Sequence, residues 1–537
     1  MNTIKGVSVC KGIAIGKTFI FRKAHIEIPD TPAQDPDGQW KRLEDAIAQV
    51  DNRLEELYNK ALETVGSDEA DIIDMHRLML SDDDYIDALR AKIFDESYNA
   101  LKAVNETCGE FVAFFEGLDD EYMRARAVDV RDVSRLLLET LAGVPAPEKL
   151  SGPSIILAED LTPSETLQMD KNLILAFVTC EGSSNSHTAI LARTMGIPSI
   201  VQAGLKLSQL ESDMTAAVDG YTGFCYLNPD KATLAELEKK SEEELAFKRA
   251  CETVRGLPTV TKSGKKIGLY ANIGSNDDIA SVLENDAEGI GLFRSEFLYL
   301  GRKNPPDEEI QFAAYKNVAE KLGGRKVIIR TMDIGADKQA SYLDVPPEEN
   351  PALGYRAIRI CLDRPELFQT QLRAICRASA YGNISVMFPM ITSLWEIIEC
   401  KKALQEAKDN LKEKNIPFGK MEVGIMIETP ASVILCDEFA REVDFFSVGT
   451  NDLTQYTLAA DRQNQKIARY ADPHHPAVLE MLRLVAESAA RNGIWAGICG
   501  ELAGDLSLTE EFLEMGYSEL SVAAPLILPM RKAIREM

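Results

Sequence analysis

Six side chains able to do chemistry stand at or just past the ends of short apolar runs in the second half of the chain. Arg294 closes "GIGLFR", Arg330 lies late in "KVIIRTMD", Glu428 ends "VGIMIE", Asn451 and Asp452 follow "DFFSVGT", and Cys499 lies late in "WAGICGE". Arg462 follows in "AADR". Glu428 and Asp452 are hard oxygen ligands. Two carboxylates with waters and substrate oxygens suit Mg²⁺, which keeps several non-protein ligands; the alternative is that one of them simply pairs with an arginine. Arg294, Arg330 and Arg462 carry planar forks that grip phosphate or carboxylate in bidentate fashion. Three of them beside a metal site point to a phosphorylated acid. Taken alone, Cys499 reads as a small core residue. At a site mouth, its weakly acidic thiol can instead give a proton to a carbanion or enolate.

An eighth candidate lies far upstream. In "CEGSSNSHTAILARTMGIPSIV" a Gly/Ser/Asn turn breaks at His187 into a helical run, a place with poor burial and good access. Free N–H groups and the dipole at a helix N-terminus favour neutral imidazole and would stabilise a phosphate carried on the ring. Neutral imidazole is nucleophilic, so His187 suits phosphorylation and onward transfer; a packed or capping histidine is the plainer reading. His474 and His475, in "ADPHHPAVL", read as turn residues before a helix.

The elements that must hold these residues follow from periodicity. After Val260, eight apolar runs ("KIGLYANIG", "GIGLFRSE", "KVIIRTMD", "ISVMFPM", "VGIMIE", "DFFSVGT", "WAGICGE" and "ELSVAAP") are mostly separated by helical segments. That pattern predicts a (β/α)₈ barrel, whose active site is built by the loops that follow the strands. From Gln39 to about Leu141 the pattern is helical, with Leu43, Ile47, Val50, Leu54, Leu57, Ala61 and Val65 on one stripe. The acidic clusters Asp68, Glu69, Asp71 and Asp82, Asp83, Asp84 are solvated helix faces or a docking site for a basic partner. The opening residues and the stretch after Pro145 read as short strands bounded by Gly, Pro, Asn and Asp. "DKATLAELEKKSEEELAFKRACETV" is a polar helix of the kind that bridges domains.

Composition bounds the rest. A chain of 537 residues, 45% hydrophobic and 27% charged, has the size of two to four globular domains. Its formal net charge of −26 argues against nucleic acid and anionic membranes as partners. The ten cysteines form no CxxC pair, as expected of reduced thiols in a cytoplasmic protein. The N-terminus does not read as a signal peptide, and no apolar stretch approaches the roughly 20 residues that span a bilayer.

Together, "GSSNSHTAILARTMGIP", "GLFRSEFLY", "RTMDIGADK", "NPALGYRAIR", "DFFSVGTNDLTQYTLAADR" and "GICGELAGD" resemble the bacterial phosphoenolpyruvate-protein phosphotransferase family, Enzyme I of the sugar phosphotransferase system. The resemblance implies an α/β multidomain chain. An N-terminal α/β phosphohistidine (swivelling) domain (1–30 and 143–229) would carry an inserted helical, carrier-binding bundle (31–142). A linker helix (230–260) and a TIM barrel (261–537) for phosphoenolpyruvate binding and dimerisation would follow. It further implies that His187 is phosphorylated, that Arg294, Arg330, Asn451, Asp452 and Arg462 contact phosphoenolpyruvate, that Glu428 and Asp452 bind Mg²⁺, and that Cys499 protonates the enolate carbon as pyruvate leaves. The implied partner is the carrier protein HPr, the implied assembly a homodimer. Members usually continue into a further helical tail beyond "ILPMRKAIREM", and "SIVQAG" lacks a glycine expected after "IV". Alternatives are a pyruvate-phosphate dikinase or phosphoenolpyruvate synthase, which need an ATP-binding domain, and a catalytically silent phosphorelay regulator.

Overall fold

The computed structural model describes residues 2–64, 67–118, 121–145, 149–182, 187–207, 210–335, 340–346, 348–462 and 464–537. Val65 of the helical stripe lies outside them, as do the side chains of Asp68, Glu69 and His187. The chain divides into two compact units, 1–246 and 247–537.

The first unit is a mixed sheet with a helical insertion. Its strands are β1 (Asn2–Lys5), β2 (Val7–Cys10), β3 (Ile13–Ile20), β4 (Ser154–Ala158), β5 (Ile174–Thr179), β6 (Ser199–Val201), β7 (Thr215–Asp219) and β8 (Phe224–Leu227), in the order β1-β8-β7-β3-β4-β5-β6-β2. β3 to β6 run parallel at the centre, and antiparallel neighbours flank them. Every residue of β4 is buried, which explains why this strand reads as an unbroken apolar run.

Between β3 and β4 lie five helices: α1 (Pro36–Thr64), α2 (Ser67–Leu80), α3 (Asp83–Phe94), α4 (Ala100–Glu116) and α5 (Glu121–Ala142). α1 begins three residues before the periodicity does, because Pro36 at its start costs no backbone bond. The stripe Leu43, Val50, Leu54, Leu57 and Ala61 is buried as the spacing requires, and Ile47 packs at its edge.

A buried polar seam joins this bundle to the sheet layer through α6 (Pro163–Gln168), a helix set by a Thr162/Glu165 capping box. Asp132 on α5 accepts from the Ser164 N–H at 3.1 Å and from its hydroxyl at 2.6 Å. His76 on α2 lies 3.2 Å from Asp129 and 3.7 Å from Asp132. Lys60 on α1 donates to the carbonyls of Leu167, Gln168 and Met169, satisfying the C-terminus of α6. Next, α7 (His187–Met195) follows β5, and the Thr188 hydroxyl donates to the Leu161 carbonyl just before α6.

The polar helix α8 (Lys231–Glu252) contains the division between the units. Beyond it, β9 (Gly268–Ile273), β10 (Gly289–Arg294), β11 (Lys326–Arg330), β12 (Ile384–Phe388), β13 (Val423–Ile427), β14 (Phe445–Val448), β15 (Trp495–Ile498) and β16 (Glu519–Ala523) close into an all-parallel barrel, β16 pairing back onto β9. The eight strands fall on the eight apolar runs. Their outward faces pack under the surrounding helices in the largest core. Inside, Leu292, Ile328, Met387, Met426, Phe445 and Cys499 form a second core, floored by Trp495 stacked on Phe445 at 4.4 Å. One acid shares that interior: Glu519 is buried, and burial lifts its carboxyl to about 8 against a partial pull from Lys326.

Two predictions follow from these interiors. Asp132→Ala strands the Ser164 hydroxyl and N–H, so denaturant unfolding should show a loss of about 2–4 kcal/mol; a wild-type midpoint would deny the seam its role. For Glu519, the unfolded carboxyl ionises near 4.5 while the folded one holds its proton to about 8. Its contribution to stability is therefore full below about 4.5 and declines as pH rises towards 8. The stability difference between wild type and Glu519→Gln should shift against wild type over that window in urea titrations, and a pH-independent difference would refute the raised acid.

Candidate active site

The C-terminal ends of the barrel strands surround a cavity of about 740 Å³. Arg294, Arg330, Glu428, Asn451, Asp452, Arg462 and Cys499 all line it, so seven residues spread over more than 200 positions of sequence meet in one place. Each arrives by the same device: a strand carries the chain to the mouth, and the next residues turn outward. Arg294 and Arg330 are the last residues of β10 and β11, and Glu428 follows β13 directly. Asn451 and Asp452 occupy the first turn of the helix Thr450–Leu458 after β14, and Cys499 follows β15.

Charge is balanced inside this mouth with few groups from water. Arg330 is 6% exposed and pairs with Glu296 at 2.5 Å and Asp333 at 3.0 Å. Burial opposes its charge, but Glu296 and Asp333, aided by Glu428 and Asp452, outweigh it and keep the guanidinium firmly protonated. Asp333 also accepts from Arg356 at 2.7 Å. Arg294 is partly exposed, and Arg462, the most open of the set, stands 3.7 Å from Asp452.

Glu428 is fully buried and takes the Met390 N–H at 2.5 Å through Oε1. Met390 adopts a left-handed φ of 57° that turns its N–H to that oxygen. Among the described residues Glu428 Oε2 and Asp452 Oδ1 have no hydrogen-bond partner, although both are buried. Burial raises the Glu428 carboxyl well above its ordinary range, and the charges of Asp452 and Asp333 raise it further, against Arg330 and the Met390 N–H. Two buried, unsatisfied carboxylate oxygens in one cavity are the donor set a hard divalent cation satisfies. Among the described residues no group of three or more His, Cys, Asp or Glu could hold a metal, so such a cation would draw its remaining ligands from water or substrate, as Mg²⁺ prefers.

Cys499 is 2% exposed, its thiol 3.6 Å from the Val448 carbonyl. Burial pushes it up to about 12, so it rests as the protonated thiol, a proton donor and not a thiolate nucleophile. Asn451 and Glu501 exchange two hydrogen bonds, 3.0 Å from the Asn451 amide nitrogen and 2.9 Å from the Glu501 N–H, tying the loops after β14 and β15 together.

Glu296, Asp333 and Arg356, whose ion pairs hold the mouth together, are among its residues that the sequence did not single out. Each lies inside a quoted motif, two or three places from a named arginine or in "NPALGYRAIR", but the pairing that places it crosses between strands. The loop carrying Arg356 is fastened from the other side, where the Tyr456 hydroxyl donates to the Ala352 carbonyl. His187 opens α7 in the first unit. His475 caps the helix Pro476–Asn492, and His474 pairs with Asp505 at 2.7 Å, as turn residues would.

Known proteins match along the whole chain. Three family models match in sequence: "PEP-utilising enzyme, N-terminal" over 5–126, "PEP-utilising enzyme, mobile domain" over 150–223 and "PEP-utilising enzyme, PEP-binding domain" over 248–537. The phosphoenolpyruvate-protein phosphotransferase of Bacillus subtilis is 43% identical, covering 100% of this chain and 95% of the relative. The proteins of the same name from Staphylococcus carnosus (41%; 99% of this chain, 94% of the relative) and Geobacillus stearothermophilus (42%; 100% and 93%) are similar. A likeness of this extent, carried through all three family domains and over nearly the full length of each relative, makes this chain a member of the phosphoenolpyruvate-protein phosphotransferase family.

Proposed function

We propose that the chain transfers the phosphoryl group of phosphoenolpyruvate to His187, releases pyruvate, and passes the group to a histidine of the carrier protein HPr, the first step of the sugar phosphotransferase system. The observation that carries this reading is the barrel mouth. Arginine forks, a buried thiol and two unsatisfied carboxylate oxygens converge there in a chain matched end to end by phosphotransferases. Relatives matched over nearly their full length carry the phosphotransferase name, which favours this reading over the dikinase and synthase.

Arg294, Arg330 and Arg462 would bind the phosphate and carboxylate of the substrate, with Asn451 and Asp452 orienting it. Arg330 arrives held by Glu296 and Asp333, so little side-chain entropy remains to be lost on binding. Glu428 and Asp452 would hold Mg²⁺, which supplies charge neutralisation for a phosphoryl group leaving through a loose transition state. The imidazole of His187 would attack phosphorus in line. As the P–O bond breaks, Cys499 gives its proton to C3 of the enolate, producing pyruvate.

The nucleophile and the cavity belong to different compact units, and the proposed transfer includes a swivel of the histidine-bearing unit, with its pivot placed at α8, which contains the division. The acidic, helical insertion is the proposed HPr surface, consistent with a chain of net charge −26 and a basic partner. A homodimer through the barrel is the proposed assembly. A cytoplasmic location agrees with ten cysteines of which none forms a disulfide, and among the described residues no helix is long and apolar enough to cross a membrane.

With phosphorus-labelled phosphoenolpyruvate and Mg²⁺, wild type should take up label, whereas His187→Ala and chelator-treated enzyme should take up none; label retained on His187→Ala would overturn the assignment. Cys499→Ala should lose turnover by about 10²–10⁴-fold, the usual worth of a positioned proton donor. Unchanged pyruvate production would remove the thiol from the reaction.

A further inference from the structure

Beneath the mouth, the barrel holds an acid that the reaction as described does not use. Glu519 opens β16, is 3% exposed, and has no hydrogen-bond partner among the described residues for either carboxyl oxygen. An unsatisfied buried carboxyl costs about 1–3 kcal/mol, and an apolar side chain would fill the space more favourably. Two glycines make room for it. A Cβ on Gly291 would stand 2.3 Å from Oε1, and one on Gly497 1.7 Å from Oε2.

The second of these close approaches locates the carboxyl relative to the thiol. Gly497 and Cys499 lie two residues apart along the same strand line and so face the same way, into the barrel. The Glu519 carboxyl therefore fills the position directly below the thiol. Ser447, paired with Gly497 in register, places its buried hydroxyl in the same interior, where it has no hydrogen-bond partner among the described residues. On the other side, the Ser521 hydroxyl lies 2.4 Å from the same Gly291 point that Glu519 Oε1 approaches. Ser521 donates to Asn272 at 2.7 Å, and Asn272 donates to the Cys499 carbonyl at 3.1 Å. Polar groups thus line the way from the carboxyl to Cys499 in an otherwise apolar interior.

We propose that Glu519 reloads Cys499, returning a proton to its sulfur from inside the barrel after the thiol has protonated the enolate. The proposal rests on the proton-donor role of Cys499 given above. In the first step the S–H bond breaks as the C3–H bond of pyruvate forms. In the second the Glu519 O–H bond breaks and S–H re-forms, either directly or through the Ser447 hydroxyl, which gives one proton to sulfur and takes one from the carboxyl. The carboxylate regains its proton from solvent once the site opens.

The direction is downhill, because a carboxyl raised to about 8 is a stronger acid than a thiol raised to about 12. Both begin the cycle protonated at neutral pH, as a donor and its reserve must. The other titratable groups facing Glu519 leave it so. Lys326 is engaged with Glu422 at 2.7 Å and lies over the Trp495 ring, and the Tyr270 phenol, pushed up to about 12 by burial, stays neutral. Glu519 would act through Cys499 and touch no substrate.

Rapid-quench measurement of pyruvate, with Mg²⁺ and excess HPr as acceptor, separates the two steps. In Glu519→Gln the first pyruvate per subunit should form at the wild-type rate, and later turnovers should slow by roughly tenfold or more. Glu519→Asp should recover part of the loss. Infrared spectroscopy at pH 7 should show a protonated-carboxyl C=O stretch in wild type that Glu519→Gln lacks. Wild-type turnover in Glu519→Gln, a first pyruvate slowed in step with later ones, or absence of that stretch would overturn the proposal. If Glu519→Gln fails to fold, Glu519→Asp takes its place: normal first turnover with slowed later ones supports the relay, and any other pattern refutes it. Cys499→Ala, run in parallel, separates the two levels. If it keeps wild-type pyruvate formation, the thiol reading fails and this proposal with it. If Cys499→Ala is inactive while the Glu519 variants are normal, the relay alone fails.

Discussion

Arg330 sits at the centre of the barrel mouth almost out of reach of water, and it remains there because Glu296 and Asp333 grip it from two sides. Removing either acid would leave a buried charge uncompensated, a far larger loss than the pair itself contributes. Arg356 shares Asp333, and that sharing fastens a second loop to the same anchor. This network consumes Glu296 and Asp333 but leaves Glu428 and Asp452 each with a buried oxygen that accepts no hydrogen bond from the described residues. In the proposed reading, the mouth is preorganised for a phosphorylated acid, and a divalent cation and the anionic substrate would together complete its charge.

The same economy of burial separates the roles of the remaining groups. A thiol held near 12 and an acid held near 8 in one apolar interior are poor as charges and good as proton carriers. The proposed nucleophile follows the opposite rule. His187 opens a helix on a different unit, where access matters more than burial, and the seam of Lys60, His76, Asp132 and Ser164 ties the helical insertion to that layer.

The periodic features were legible in the sequence because burial on both faces of a parallel barrel leaves continuous apolar runs, as in Ile384–Phe388. The position of Arg294, Arg330, Glu428, Asn451, Asp452 and Cys499 after those runs was legible for the same reason, since strand polarity alone brings them to one rim. What could not be read was pairing across strands. Asp333 looked like one more loop acid until the fold placed Arg356, twenty-three residues on, against it. Glu519 was harder still. It begins the run "ELSVAAP", where a charged residue normally marks a strand's exposed start, and only closure of the barrel over Gly291 and Gly497 puts its carboxyl inside. The start of α1 at Pro36 was missed because the first turn of a helix needs no apolar stripe.

The most direct test of the charge-completed mouth is calorimetric titration of phosphoenolpyruvate into His187→Ala, which cannot consume it, with and without Mg²⁺. Mutual completion requires the cation to tighten substrate binding by about tenfold or more and Glu428→Gln to erase that coupling. Equal affinity with and without the cation, or a coupling that survives Glu428→Gln, would contradict the account.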